Sequence, residues 1–282
     1  MTYEMPETLS ELSAMLHHKD DTVFLCAGTT DLMLHLRQKS YGDFGLIDLT
    51  HIEEMRKISI EDQVLHLGAA VTMSELEYHP LLVQTVPALA RAAAMVGSEQ
   101  IRNLATLGGN VANASQSADT LPVLLAYQAE AVLMNEKDER RVVSVEELII
   151  GLGRHKIGAR EVIVEFLIPC EAAFSSFAKV GSRKSVTISK LNGCLKADII
   201  DQKFREVKLY LGAIGPKAVE AVCVKQVLEG ASPFHIEDSA LKEAVYQEIE
   251  DKIGNRASKH YKKSAAFGIV LELIDGFKVR MG

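Results

Sequence analysis

The hydrophobic and polar positions of this chain follow two rhythms. Compact apolar runs are Thr22-Val23-Phe24-Leu25-Cys26-Ala27, with β-branched and aromatic residues, and Leu46-Ile47-Asp48-Leu49. They read as buried parallel strands. Lys57–Glu61 and Val64–Gly68 alternate about polar Asp62-Gln63 and predict a β-hairpin. Helical spacing marks Glu7–Leu16, and Thr72 with Glu75 three residues on forms a capping box. Leu81–Val96 is Ala-rich with the helix period and predicts one core helix. Asp119–Tyr127 predicts another, started by Ser117 and Asp119. Ala131–Met134 and Arg141–Val143 pair across a charged turn, and Glu161–Ile168 is a long strand stopped by Pro169.

The pattern changes past a junction placed at Glu171–Ala173. Phe177–Val180, Leu191–Ile200 and Phe204–Ile214 read as three hairpin-connected strands; Ala218–Leu228, Ser239–Ile249 and Ser258–Leu273 read as three helices. Strands followed by helices make an α+β unit distinct from the mixed α/β part before it. No internal repeat or low-complexity segment is present.

Two stretches fit neither rhythm. Gly28-Thr29-Thr30-Asp31 follows the first strand and precedes a helix through Leu32, Leu34 and Leu36, with Thr29, Thr30 or Asp31 placed to cap it. Thr106-Leu107-Gly108-Gly109-Asn110 continues through Asn113 and Ser117 to Asp119. Little in it fills a core, and adjacent glycines let a ligand approach the backbone. Free N–H groups near a helix start favour an anionic group such as a phosphate. Read alone, each stretch is equally a structural turn.

Composition narrows the chemistry. The 282 residues carry a formal net charge of −7, have no Trp and are 6% aromatic, which disfavours a nucleic-acid binder. No apolar run approaches a membrane span, and Met1–Leu12 carries acidic residues without a basic segment, so a cytoplasmic location is expected. Cys26, Cys170, Cys194 and Cys223 lack metal-ligand spacing and read as buried free thiols. Gly151-Leu152-Gly153 imitates a dinucleotide fingerprint, but Lys156 stands where its third glycine belongs. His17-His18 and Glu53-Glu54 read as solvated faces, while His66 fits a core or a site equally. Two glycine-bearing loops without a nucleophile or metal cluster imply that a bound cofactor carries the chemistry.

The motifs and their order resemble the FAD-binding medium subunit of molybdenum hydroxylases, the xanthine dehydrogenase and carbon monoxide dehydrogenase type. The first family motif stands here as Ala27-Gly28-Thr29-Thr30-Asp31-Leu32. The second is Ile101-Arg102-Asn103-Leu104-Ala105-Thr106-Leu107-Gly108-Gly109-Asn110 with Asn113-Ala114-Ser115-Gln116-Ser117-Ala118-Asp119-Thr120-Leu121-Pro122. The third is Glu161–Val164 with Phe177–Arg183. The resemblance covers nearly the whole chain.

It implies a vanillyl-alcohol-oxidase-type (PCMH-type) FAD-binding domain over 1–170, with α/β subdomains of about 1–56 and 57–170. A C-terminal α+β domain over 174–282 would carry a three-stranded antiparallel sheet and three helices. Leu25, Cys26, Ala27, Gly28, Thr29, Thr30, Asp31 and Leu32 would wrap the FAD pyrophosphate with backbone N–H groups. Thr106, Gly108, Gly109, Asn110, Asn113, Ser117 and Asp119 would hold the pyrophosphate, ribityl and adenosine parts. Ile163 and Lys179 match positions near the flavin and its adenine half, and Val96 and Ala112 positions near the isoalloxazine. Electrons from a substrate, a purine such as xanthine, would pass from a molybdopterin large subunit through the [2Fe-2S] clusters of a small subunit to FAD. NAD⁺ or another acceptor would take them from there. Neither iron–sulfur nor molybdenum ligands are found on this chain, and the resemblance implies a dimer of heterotrimers. The alternatives are a self-contained flavin oxidoreductase of the same superfamily and a flavin-less interaction protein.

The chain departs from the family pattern twice. Thr29 replaces a glycine: it is strained if the position needs positive φ, and adds a hydroxyl if it needs only to be small. Gln116 replaces a proline, which is expected to loosen that turn.

Overall fold

A computed structural model describes residues 2–38, 42–170 and 174–281. The chain divides into two units that interleave along the sequence. The first takes Met1–Leu76, Ser98–Ala114 and Gln128–Cys170; the second takes Glu77–Gly97, Ser115–Tyr127 and Glu171–Gly282. Two segments of the expected 1–170 domain thus belong to the second unit. The junction expected at 171–173 lies outside the described residues.

In the first unit, strands β1 (Thr2–Glu4), β2 (Val23–Cys26) and β3 (Gly45–Asp48) form a parallel sheet in the order β1-β3-β2. The helix Leu9–His18 joins the first two, and Thr8 Oγ1 caps it by accepting from Glu11 N at 3.2 Å. An antiparallel sheet follows, built from β4 (Ile58–Glu61), β5 (Val64–Gly68), β6 (Glu130–Asn135) and β7 (Arg140–Ser144). A small hairpin, β8 (Ile149–Gly151) and β9 (Arg154–His155), leads into the central strand β10 (Glu161–Pro169). The sheet order is β4-β5-β10-β6-β7. The β4–β5 hairpin turns as its sequence predicts, with Asp62 and Gln63 at φ +48° and +63°. The Thr72–Glu75 capping box also forms: Glu75 N donates to Thr72 Oγ1 at 3.2 Å and Thr72 N to Glu75 Oε2 at 2.8 Å.

In the second unit, β11 (Phe174–Val180), β12 (Leu191–Ile200), β13 (Lys203–Gly212) and β14 (Val219–Glu220) form one antiparallel sheet. The sheet therefore has four strands rather than the three expected. Val219 pairs with Leu211, and the helix expected from Ala218 starts at Val222. The helix Lys259–Met281 packs on β11 and β12 and Val222–Leu228 on β13, while Asp238–Ile253 packs on both of these helices; Leu195, Leu209, Leu211, Ile269, Leu273 and Phe277 belong to the core between them. Leu121–Ala126 is buried on all sides, so it needs a partner on every face. It packs on β12 and β13, while Pro87–Ala94 packs on β11. That packing draws segments of the expected first domain into this unit. The core helix expected over Leu81–Val96 is two helices, Pro80–Thr85 and Pro87–Ala94. Pro87 forces Val86 out of the helical region, to φ −132° and ψ 59°.

Candidate cofactor site

The two glycine stretches meet in the first unit. A Cβ on Gly28 would lie 1.7 Å from Leu104 O and 2.9 Å from Ala105 N. Glycine is therefore required there by the backbone of the second stretch. Thr29, the next residue, has φ +53°. Further along, Asn113 Nδ2 donates to Asp31 Oδ2 at 3.3 Å, so the two stretches are tied at both ends.

Gly108-Gly109-Asn110 lies in a helix, Leu107–Asn113, and not in a turn. Thr106 Oγ1 caps it by accepting from Gly109 N at 3.1 Å, and Ala114 closes it in the left-handed region at φ +47°. Leu107 N and Gly108 N donate to Val71 O and Ala69 O at 3.0 and 2.8 Å. A Cβ on Gly108 would come within 2.8 Å of Ala69 O. The two adjacent glycines thus have different causes. Gly108 lets the helix lie on the backbone beyond β5, whereas Gly109 is exposed and its added Cβ would meet only Thr106 Oγ1, at 3.0 Å.

A cavity of about 340 Å³ opens beside them. Leu25, Cys26, Ala27, Thr106, Gly108, Gly109, Ala112 and Ile163, all expected at a site, line it together. Gly28, Thr29, Thr30, Asp31, Leu32, Asn110 and Asn113 continue the same two stretches without lining it. Burial, and next the Asp48 carboxylate, push the Cys26 thiol up to about 12, so it is neutral at ordinary pH. The wall formed by His155, Ile157, Gly158 and Ala159, and the contribution of Lys19, were not anticipated. No local pattern marks them; only the β8–β9 hairpin brings them round.

Val96, Ser117, Asp119 and Lys179 belong to the second unit. Lys179 Nζ donates to Asp119 Oδ2 at 2.5 Å and to Met95 O at 2.9 Å. Asp119 Oδ1 accepts from Ser189 Oγ at 2.5 Å and Asn192 Nδ2 at 2.7 Å. The two charged side chains are only 3% and 6% exposed. Asp119 therefore does not start the helix Leu121–Ala126, because its oxygens are turned to β11 and β12. Asn192 Nδ2 also donates to Ser117 O at 3.4 Å, and Val96 N to Ala93 O at 3.1 Å. At Gln116, the carbonyl oxygen accepts from Ala213 N at 2.9 Å.

Comparison with known proteins agrees with these motifs. Residues 1–171 match the family described as the FAD binding domain in molybdopterin dehydrogenase. The chain is 30% identical to the nicotinate dehydrogenase FAD-subunit of Eubacterium barkeri, covering 95% of this chain and 93% of that protein. It is 28% identical to the putative xanthine dehydrogenase FAD-binding subunit of Escherichia coli (strain K12), covering 93% and 90%. Its fold superposes on carbon monoxide dehydrogenase from Hydrogenophaga pseudoflava with a TM-score of 0.88 at 23% identity, over 99% of this chain and 98% of that one. Quinoline 2-oxidoreductase from Pseudomonas putida 86 gives 0.88 at 24% identity, over 97% and 95%. The chain belongs to the FAD-binding subunits of the molybdopterin dehydrogenase family, which serve oxidoreductase complexes of the molybdenum hydroxylase type.

Proposed function

We propose that this chain is the electron-relay subunit of a molybdenum hydroxylase, taking electrons from the [2Fe-2S] clusters of a small partner subunit and passing them to NAD⁺ or another acceptor. A molybdopterin large subunit would bind and oxidise the substrate. The observation that carries the reading is the close approach of Gly28 to the Leu104–Ala105 backbone, which joins both glycine stretches beside one cavity. When bound, FAD supplies the conversion between one-electron and two-electron transfer.

The residues present fit that cofactor. Gly109 is exposed and carries no side chain, and a Cβ there would meet only Thr106 Oγ1, so a ligand can lie against its backbone. The cavity lining is mostly apolar, as the organic parts of a dinucleotide require. We assign the pyrophosphate to the backbone of Ala27–Asp31 and Thr106–Asn110. We assign contact with the organic parts to Leu25, Cys26, Ala112 and Ile163. Val96, Asn113, Ser117, Asp119 and Lys179 stay in the proposal through the family motifs. The neutral Cys26 thiol contributes packing rather than nucleophilic chemistry.

The substrate class follows from relatives alone. Those named for nicotinate, xanthine and caffeine share a nitrogen heterocycle, and we propose one here, xanthine included. Thr29 at positive φ favours the opposing reading of a weakened or lost flavin site. Purifying the chain and recording its visible spectrum decides between them: bound flavin is expected, and none after reconstitution with FAD would sink the proposal. Co-purification with an iron–sulfur and a molybdopterin protein is the expected result for the relay role.

A further inference from the structure

The cavity wall formed by the end of β9 and the residues that follow it belongs to a segment that no motif marks. His155, Ile157, Gly158 and Ala159 line it, and Glu161 opens β10 beside them. His155 Nδ1 accepts the N–H of Ile157 at 3.3 Å. The hydrogen-bond network thereby assigns the proton of the neutral ring to Nε2. Burial lowers the pKa of this imidazole, which favours that neutral form. The rest of the lining is mainly carbon, from Val23, Phe24, Leu25 and Ile163 among others. An apolar slot with an N–H donor suits a purine, whose faces are apolar and whose edge carries acceptor nitrogens. At about 340 Å³ the cavity lies at the small end of ligand pockets, roughly 300–1,000 Å³, so it takes part of a dinucleotide and not the whole.

The segment is braced next to that wall. Arg141 forks onto Glu161, with Nε donating to Oε1 at 2.8 Å and Nη2 to Oε2 at 2.7 Å. Arg141 Nη2 also donates to Lys156 O at 3.0 Å, and Glu161 Oε2 accepts from Gly158 N at 2.7 Å. A guanidinium and a carboxylate thus hold the path of the chain from residue 156 to 161 by paired, charge-assisted bonds.

We propose that His155 is a specificity-determining residue for the adenine half of FAD, its Nε2–H donating to a ring nitrogen of the base, and that the Arg141–Glu161 pair positions it. The proposal rests on the FAD reading above, and its test separates the two. FAD is stripped from the full chain, and the dissociation constants of FAD and of FMN are measured by flavin fluorescence. His155→Phe removes the donor and keeps a ring. It should weaken FAD by about five- to tenfold, the loss of one hydrogen bond, and leave FMN within twofold. His155→Gln, which keeps an N–H, should recover most of the FAD affinity. Arg141→Lys keeps the charge but loses the fork, and should lower the FAD-to-FMN affinity ratio without moving the FMN value. Equal weakening of FAD and FMN by His155→Phe would place the flavin ring in the cavity and overturn the assignment. Unchanged FAD affinity would also overturn it, while leaving the FAD reading intact. If His155→Phe does not fold, His155→Gln and Arg141→Lys decide: both must show the stated pattern for the proposal to stand. Failure of the unaltered chain to bind FAD at all is the separate failure of the function proposed above.

Discussion

Thr29 holds a backbone conformation that its side chain opposes. Its φ of +53° is in the left-handed region, which a β-branched residue rarely enters. That conformation costs a non-glycine residue about 1–2 kcal/mol. The neighbours leave little escape: Gly28 is closed against Leu104 on one side, and Asp31 is tied to Asn113 on the other. The strain is therefore carried with or without a ligand, and relief should appear in the stability of the fold. Thr29→Gly removes it but adds roughly 0.5–1 kcal/mol of chain entropy to be lost on folding. Taken at the middle of the two ranges, the net gain should be about 0.75 kcal/mol, a rise of about 1.5–3 °C in Tm at roughly 2–4 °C per kcal/mol. Scanning calorimetry on the FAD-stripped chain, at one protein concentration, measures it. Thr29→Val, β-branched but without the hydroxyl, is the control and should not gain. A Tm for Thr29→Gly at or below that of the unaltered chain, or an equal rise for Thr29→Val, would refute the strain argument.

Three further outcomes test other parts of the site. Gly109→Val should abolish FAD retention in a chain whose circular dichroism is unchanged, whereas Gly28→Ala drives a Cβ into backbone and should cost about 1–3 kcal/mol or more in urea unfolding; normal flavin content in Gly109→Val would mean that the helix start holds no ligand. Lys179→Met strands the buried Asp119 carboxylate and should cost about 3–5 kcal/mol, with part returned by adding Asp119→Asn; a neutral effect of the single change would contradict the buried pairing. The hydrogen bonds from Arg141, with Gly158 N–H and the Arg141 charge adding to them against burial, hold Glu161 below its usual 4.5. Its stabilisation is present above that value and is lost as pH falls through the lowered one, so Arg141→Met should flatten the acid limb of the stability–pH curve; an identical limb would discount the clamp.

Much of the fold was legible because its signals are local. The β4–β5 hairpin follows from alternation about Asp62-Gln63, and the helix start at Met73 from Thr72 and Glu75, since each depends on atoms a few residues apart. The break at Val86 was equally local, and Pro87 should have signalled it. The motifs around Gly28 and Gly108 were also readable, in residue type and order. Their physical reasons were not. Gly28 is small because the Leu104 backbone lies against it, Gly108 because Ala69 does, and Gly109 faces only the side-chain oxygen of Thr106. Composition could not distinguish three such glycines, because the neighbour that excludes a Cβ is tens of residues away. The same distance hid the pairing of Asp119 with Lys179 and the arrival of His155 in the cavity that Leu25 also lines. It also hid the membership of Glu77–Gly97 and Ser115–Tyr127 in the second unit. Periodicity and caps decide what a segment becomes, and the sequence carried that by itself. Which buried face or charge each segment meets depends on where the whole chain closes, and only the tertiary structure decided it.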